Sequence, residues 1–250
     1  MSGHSKWSTI KRKKEKEDQK RGKIFTKIIK EITVAARLGG GDPETNPRLR
    51  TAIDNANDAN MPKDNIEKAI QRGTGELPGV QYEDMTYEGY GPGGTALFIE
   101  TTTDNKNRTV SEIRHLLDKN GGSLGESGSV AWVFDRKGVH YVTKDGITED
   151  DLMMAALEHG AEDINEEEDF FEVTCPMEEF HNLKVGLEES GFDVDESELQ
   201  QIPKNRVDVT GSDAKKLMNI LEALEDHDDV QNVWSNADLD EDTLAALQES

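Results

Sequence analysis

The 250-residue chain has one cysteine, 6% aromatic residues and no long apolar run, and each shortage removes a class of protein. A single thiol, Cys175, closes no internal disulfide and supplies too few thiolates for a structural zinc site. No stretch approaches the length of a membrane span, and no apolar segment follows the basic N-terminus as a secretory leader requires. Three acids near that start (Glu15, Glu17, Asp18) set it apart from an acid-poor transit peptide. These features predict a soluble, cytoplasmic chain. The six histidines, His4, His115, His140, His159, His181 and His227, show no pair at ligand spacing, and none is assigned to catalysis.

Positive charge is scarce over most of the chain and concentrated at one end. Residues 81–250 carry 12 Lys+Arg against 41 Asp+Glu, whereas residues 1–30 carry 11 against 3. The overall charge of −23 hides this division. A basic arm on an acidic body is the asymmetry expected of a polarised polyanion binder.

A hydrophobic share of 34% still supports packed cores, and the length suits two or three modest domains. Residues 1–21 are polar, small and basic, with no core-forming face, and read as an arm. From Gly22, the apolar residues Ile24, Phe25, Ile28, Ile29, Ile32, Ala35 and Ala36 fall at helical spacings, and Gly39-Gly40-Gly41 ends that helix. Asn46-Pro47 reads as an N-cap with proline in the first turn, and Pro62 opens a further helix. Residues 22–78 are therefore expected to form a helical domain.

After the Thr74–Gly79 linker the texture changes to α/β. Strands are predicted at 95–101 and 129–134 with a helix between them. Residues 136–203 then read β-α-β-β-α-β, the order of a ferredoxin-like unit. A strand at 206–209, a helix at 212–224 and a strand at 230–235 complete the interrupted domain. The expected fold is α+β: a helical domain, a discontinuous α/β domain (79–135 and 204–237), the inserted unit, and an acidic tail at 238–250.

Several motifs carry no chemistry. Gly89-Tyr90-Gly91-Pro92-Gly93-Gly94 matches G-x-G-x-x-G, but a strand rather than a helix follows it and Pro92 removes an amide, so it reads as a loop. Asp238, Asp240, Asp242 and Glu249 have calcium-loop spacing, yet Thr243 stands where glycine is needed. Cys175 lacks basic neighbours in sequence and is expected to be buried and inert. The run without Lys or Arg between Lys144 and Lys184 is most simply a solvated acidic face. No cofactor and no catalytic residue is expected.

The arm is different. Gly3-His4-Ser5-Lys6-Trp7 sets an aromatic among small residues beside Lys11-Arg12-Lys13-Lys14. Lysine and arginine neutralise phosphates and release counterions, and an exposed tryptophan stacks on an unpaired base. The candidate nucleic-acid-binding residues are Lys6, Trp7, Lys11, Arg12, Lys13, Lys14, Lys16, Lys20, Arg21, Lys23, Lys27 and Lys30. The competing role for Trp7 is packing on the protein's own surface.

The same residues carry a resemblance. Met1-Ser2-Gly3-His4-Ser5-Lys6-Trp7, Lys20-Arg21-Gly22-Lys23-Ile24-Phe25-Thr26-Lys27, Gly39-Gly40-Gly41-Asp42-Pro43, Asn46-Pro47-Arg48-Leu49-Arg50 and Asn60-Met61-Pro62-Lys63-Asp64-Asn65-Ile66 resemble the YebC/PmpR family. Gln71-Arg72-Gly73 and Tyr87-Glu88-Gly89-Tyr90-Gly91-Pro92 continue the match. The resemblance implies three domains, a helical one and two α/β ones, one interrupting the other. It also implies a non-enzymatic regulator of gene expression. Its members are usually described as DNA-binding transcriptional regulators, while others act as ribosome-associated translation factors at proline-rich stretches. The expected partner is therefore DNA or ribosomal RNA, and no membrane.

The two targets ask for different residues. Duplex reading needs a recognition helix, and the helix after Pro62 mixes Lys63, Lys68 and Arg72 with Asp64 and Glu67. Entry into folded RNA needs an extended basic arm with small residues and an aromatic at its tip, which the N-terminus supplies.

Overall fold

The computed structural model describes residues 21–144, 146–167 and 169–239. Helix α1 (Arg21–Gly39) packs against α2 (Pro47–Asp58) and α3 (Lys63–Thr74). Their core is Ile32, Leu49, Met61 and Ile66 interleaved with Ala35, Ala36, Ala52, Ala56 and Ala69. The small residues let the helices approach closely. A Cβ on Gly73 would stand 2.5 Å from the Thr33 carbonyl oxygen and 2.7 Å from Ala36 Cβ. Asn46 caps α2 by accepting from the Leu49 amide at 3.1 Å, with Pro47 next. Its amide group donates to the Ala35 and Gly40 carbonyls, which joins the start of α2 to the end of α1.

The second unit is an antiparallel sheet of β1 (Glu83–Tyr90), β2 (Ala96–Thr103), β3 (Ser123–Leu124) and β9 (Val230–Ser235), in the order β3-β1-β2-β9. Helices α4 (Lys106–Lys119) and α7 (Gly211–Glu225) cover one face. Leu97 and Ile99 of β2 meet Ile113 and Leu117 of α4 and Leu217, Ile220, Leu221 and Leu224 of α7 there. The glycine-rich motif is the β1–β2 hairpin: Tyr90 pairs with Ala96 across a turn at Pro92–Gly94, where Gly93 and Gly94 adopt positive φ.

The inserted unit runs β4 (Phe134–Thr143), α5 (Glu149–Glu158), β5 (Asp163–Glu166), β6 (Phe170–Pro176), α6 (Phe180–Glu189) and β7 (Val194–Pro203). Its strand order β5-β6-β4-β7 is ferredoxin-like, as the element order predicts. Val142, Phe171 and Val173 of the sheet pack with Leu152, Leu183 and Leu187 of the helices. Phe134 pairs with Pro203, and the Lys204 amide donates to the Val133 carbonyl at 2.8 Å. The ingoing and outgoing chains therefore lie side by side, which is how a domain is inserted without disturbing its host. Short strands β8 (Val207–Asp208) and β10 (Ala237–Asp238) pair in parallel.

Two expectations need correction. Strand β1 lies between the Thr74–Gly79 linker and residue 95, where the sequence predicts no strand, its last two residues falling in the motif read as a loop, and residues 129–134 are not a strand. The buried Glu88 carboxylate accepts from the amides of Gly128, Val130 and Ala131 at 2.6, 2.7 and 2.7 Å, withdrawing them from any ladder. A single 3-10 turn, Ala131–Val133, follows before β4 begins at Phe134.

Candidate nucleic-acid interface

Of the predicted contact residues, Lys6, Trp7, Lys11, Arg12, Lys13, Lys14, Lys16 and Lys20 lie outside the described residues, and Arg21 opens α1. The other three can be followed atom by atom. Lys23, Lys27 and Lys30 sit three to four residues apart and so share one stripe of α1. That stripe faces the end of α7. Lys23 Nζ reaches the Asp226 carboxylate at 3.2 Å and its carbonyl at 3.3 Å, and Lys27 Nζ donates to the Glu225 carbonyl at 2.9 Å. Ammonium groups there complement the negative end of the helix dipole and bond carbonyls that the helix itself leaves open.

Lys30 turns inward. It is 6% exposed, and its ammonium donates to Asp229 Oδ1 at 2.8 Å and to the Asp228 carbonyl at 2.8 Å. Asp229, 3% exposed, also accepts from Arg108 Nη2 at 2.6 Å, Thr109 Oγ1 at 2.8 Å and Thr103 Oγ1 at 3.2 Å. Burial works to raise its pKa, but Lys30, Arg108 and Thr109 outweigh burial and hold it well below the usual carboxylate range. This node ties the helical unit to the α/β unit.

A second tie runs through Arg48. Its guanidinium bonds Glu31 at 2.7 and 2.9 Å and Asp84 at 2.7 Å, and the Glu31 bond leads in raising its pKa. Within the α/β unit, Lys106 at the start of α4 pairs with Glu83 of β1 at 2.6 Å. The two acids that open β1, Glu83 and Asp84, are thereby matched by cations from other elements.

Glu112, His227 and Asp229 place ligand-type atoms within 4.8 Å of one another. The group is built as an ion-pair network rather than a metal cage. Asp229 already holds two cationic side chains. His227 Nδ1 accepts from the Asp229 amide at 3.1 Å, so the ring proton sits on Nε2, which donates to Glu112 at 2.9 Å.

Two further titratable groups, Cys175 and His140, are buried and quiet. Burial pushes the Cys175 thiol up to about 11, which keeps it protonated and unreactive. His140, bonded to Ser197 at 2.8 Å and stacked on Phe180, is lowered by burial to about 4 and stays neutral. The exposed face of α3 carries Lys63, Lys68 and Arg72 among Asp64 and Glu67. Sequence reading missed Asp229, Arg108 and Glu88. All three are charged residues whose partners lie far along the chain.

With this geometry in view, the comparisons with known proteins decide the family. Residues 5–76 match the TACO1/YebC protein N-terminal domain, and residues 82–237 match the TACO1/YebC second and third domain. The chain belongs to the TACO1/YebC family. A relative from Desulfotalea psychrophila is 57% identical over 250 residues, covering all of both chains. One from Desulfatibacillum aliphaticivorans is 54% identical over 244 residues, 98% of this chain and 99% of its own. Both are named probable transcriptional regulatory proteins. A solved structure, that of a conserved hypothetical protein from Aquifex aeolicus, superposes with a TM-score of 0.83 at 46% identity. It covers 90% of this chain and 93% of its own. The mixed helix-and-sheet fold is thus shared within the family.

Proposed function

We propose that this TACO1/YebC protein is a non-enzymatic, nucleic-acid-binding regulator of gene expression, a DNA-binding transcriptional regulator that acts in the cytoplasm. The basic arm makes the contact. The observation that carries this reading is charge segregation. Residues 1–21 hold 8 Lys+Arg against 3 Asp+Glu, while residues 22–239 hold 21 against 45. A polyanion is repelled by such a body and attracted by such an arm. The lysines of α1 strengthen the argument, because their ammonium groups serve the α7 end and Asp229 and leave phosphate binding to the arm. The relatives' names point to transcription. Among the described residues no helix is long and apolar enough to cross a membrane.

A second reading has its own support. An arm with Trp7 among Gly3, His4 and Ser5 suits folded RNA, and the mixed charge on α3 offers DNA no cationic recognition face. On that reading the protein is a translation factor that binds ribosomal RNA on the ribosome and relieves stalling at proline-rich stretches. Crosslinking in cells, with sequencing of the recovered DNA and RNA, separates the two. Promoter peaks that vanish when residues 1–20 are deleted support the transcriptional regulator. Arm-dependent crosslinks to ribosomal RNA support the translation factor. Equal recovery without the arm refutes both.

A further inference from the structure

Helix α5 is apolar on the side it turns to solvent as well as on the side it buries. Leu152 and Ala156 pack into the core of the inserted unit, while Met153, Met154 and Leu157 stand 38%, 71% and 60% exposed. Residues three and four apart are neighbours on a helix, so these three form one strip. A helix that is hydrophobic all round is normally covered all round. Methionine, unbranched and polarisable, adapts its shape to whatever lies on it, which suits a docking surface.

Acids bound the strip. Exposed Asp150 and Asp151 stand one turn before Met154, Glu149 one turn before Met153, and Glu158 one turn after Met154. Past the end of α5, Glu179 lies over Gly160, where a Cβ would meet its Cγ at 2.9 Å. Residues 136–203 hold 4 Lys+Arg against 20 Asp+Glu, and Lys137 and Lys144 are taken by Glu162 and Glu166. Among the described residues no cation pairs with the four acids of α5.

This field selects the occupant. It repels a polyanion and a second copy of the same face, and three side chains fall far short of the roughly 800 Å² per partner that a stable dimer buries. It attracts a short cationic segment with apolar anchors. The chain carries such a segment itself. Residues 6–14 hold Lys6, Lys11, Arg12, Lys13 and Lys14 and no acid, with Trp7 and Ile10 three positions apart, as Met154 and Leu157 are. Cations on either side of an apolar pair there mirror acids on either side of the strip. Fourteen positions separate Trp7 from Arg21, an extended reach of about 46–50 Å, roughly the width of a compact chain of this length.

Resting on the reading of residues 1–21 as the nucleic-acid contact, we propose that Trp7 and Ile10, with the cations around them, dock on the Met153–Met154–Leu157 strip of the same chain and withhold the arm until a polyanion displaces it. Tethering supplies an effective concentration on the order of millimolar, so a weak contact suffices. Apparent affinity for nucleic acid then falls by the fraction of arm left free, about three- to tenfold.

The test follows methionine methyl signals by NMR in the intact chain, assigned with Met154→Gln. Substituting Trp7→Ser and Ile10→Ser is expected to move the Met153 and Met154 signals and to leave those of Met61 and Met218, which lie in other cores. Saturating single-stranded RNA or duplex DNA should move the native signals the same way. In parallel, Met154→Gln with Leu157→Gln, which alters no charge and no buried side chain, should bind nucleic acid about three- to tenfold more tightly. Met153 and Met154 signals indifferent to the arm substitutions would overturn the docking, and so would unchanged nucleic-acid affinity in the α5 variant. A shift that grows with protein concentration would assign the strip to a second copy's arm and overturn the contact within one chain. If the arm moves these signals while neither the native chain nor the α5 variant binds nucleic acid, the docking stands and the reading of the arm fails.

Discussion

Asp229 gathers Lys30, Arg108, Thr103 and Thr109 around one buried carboxylate, and removing a partner leaves a charge without compensation. Replacing Lys30 by methionine keeps the aliphatic stem and deletes the ammonium. The expected cost is about 3–5 kcal/mol, read from urea unfolding. A loss below about 1 kcal/mol would mean that the pair is dispensable. Glu172 behaves oppositely. Burial leads in raising its pKa to about 7, aided by Glu167 and Glu198. Its folded pKa therefore lies above an unfolded value of about 4.3, so its contribution is fully present below the unfolded pKa and is lost as pH rises through 7. Glu172→Gln should gain on the order of 2–3 kcal/mol relative to the native protein between about pH 5 and about pH 8. A difference that does not change with pH would contradict the assignment. Neither role is legible from sequence. Lys30 ends a basic run and Asp229 ends an acidic one, and nothing local shows that they meet 199 positions apart.

At the scale of elements, much was legible. Ile28, Ile32 and Ala36 give α1 its period, Asn46-Pro47 marks the start of α2, and the βαββαβ order of the inserted unit follows from its alternating patterns. The misses have physical causes. Val130-Ala131-Trp132-Val133-Phe134 has the composition of a strand, but Glu88 occupies the amides that pairing would need. Strand β1 was hidden because Glu83 and Asp84 look solvated until Lys106 and Arg48 arrive from other helices. The α1–α3 contact makes its own prediction. Gly73→Ala places a methyl against backbone of α1, and it should destabilise the protein by about 1–3 kcal/mol, visible as a lowered Tm. An unchanged or raised Tm would mean that the helices have room to separate.

Taken as a whole, the chain follows a short basic stretch, residues 1–21, with a strongly acidic remainder, and the α1 lysines are engaged internally at the join with α7. Charge patterning shows that division directly in the sequence. It cannot show which lysines turn inward, because nothing local to Lys27 and Lys30 tells what the fold sets against them. Membership of the TACO1/YebC family and the relatives' names agree with a regulatory role. The central claim is that the arm binds the polyanion. Its most direct test is the affinity of the full chain for nucleic acid across a salt series, beside a chain lacking residues 1–20. If the arm covers about six phosphates, log K against log salt should have a slope of about −4 to −5, collapsing when the arm is removed. A slope and affinity that survive the deletion would contradict the account.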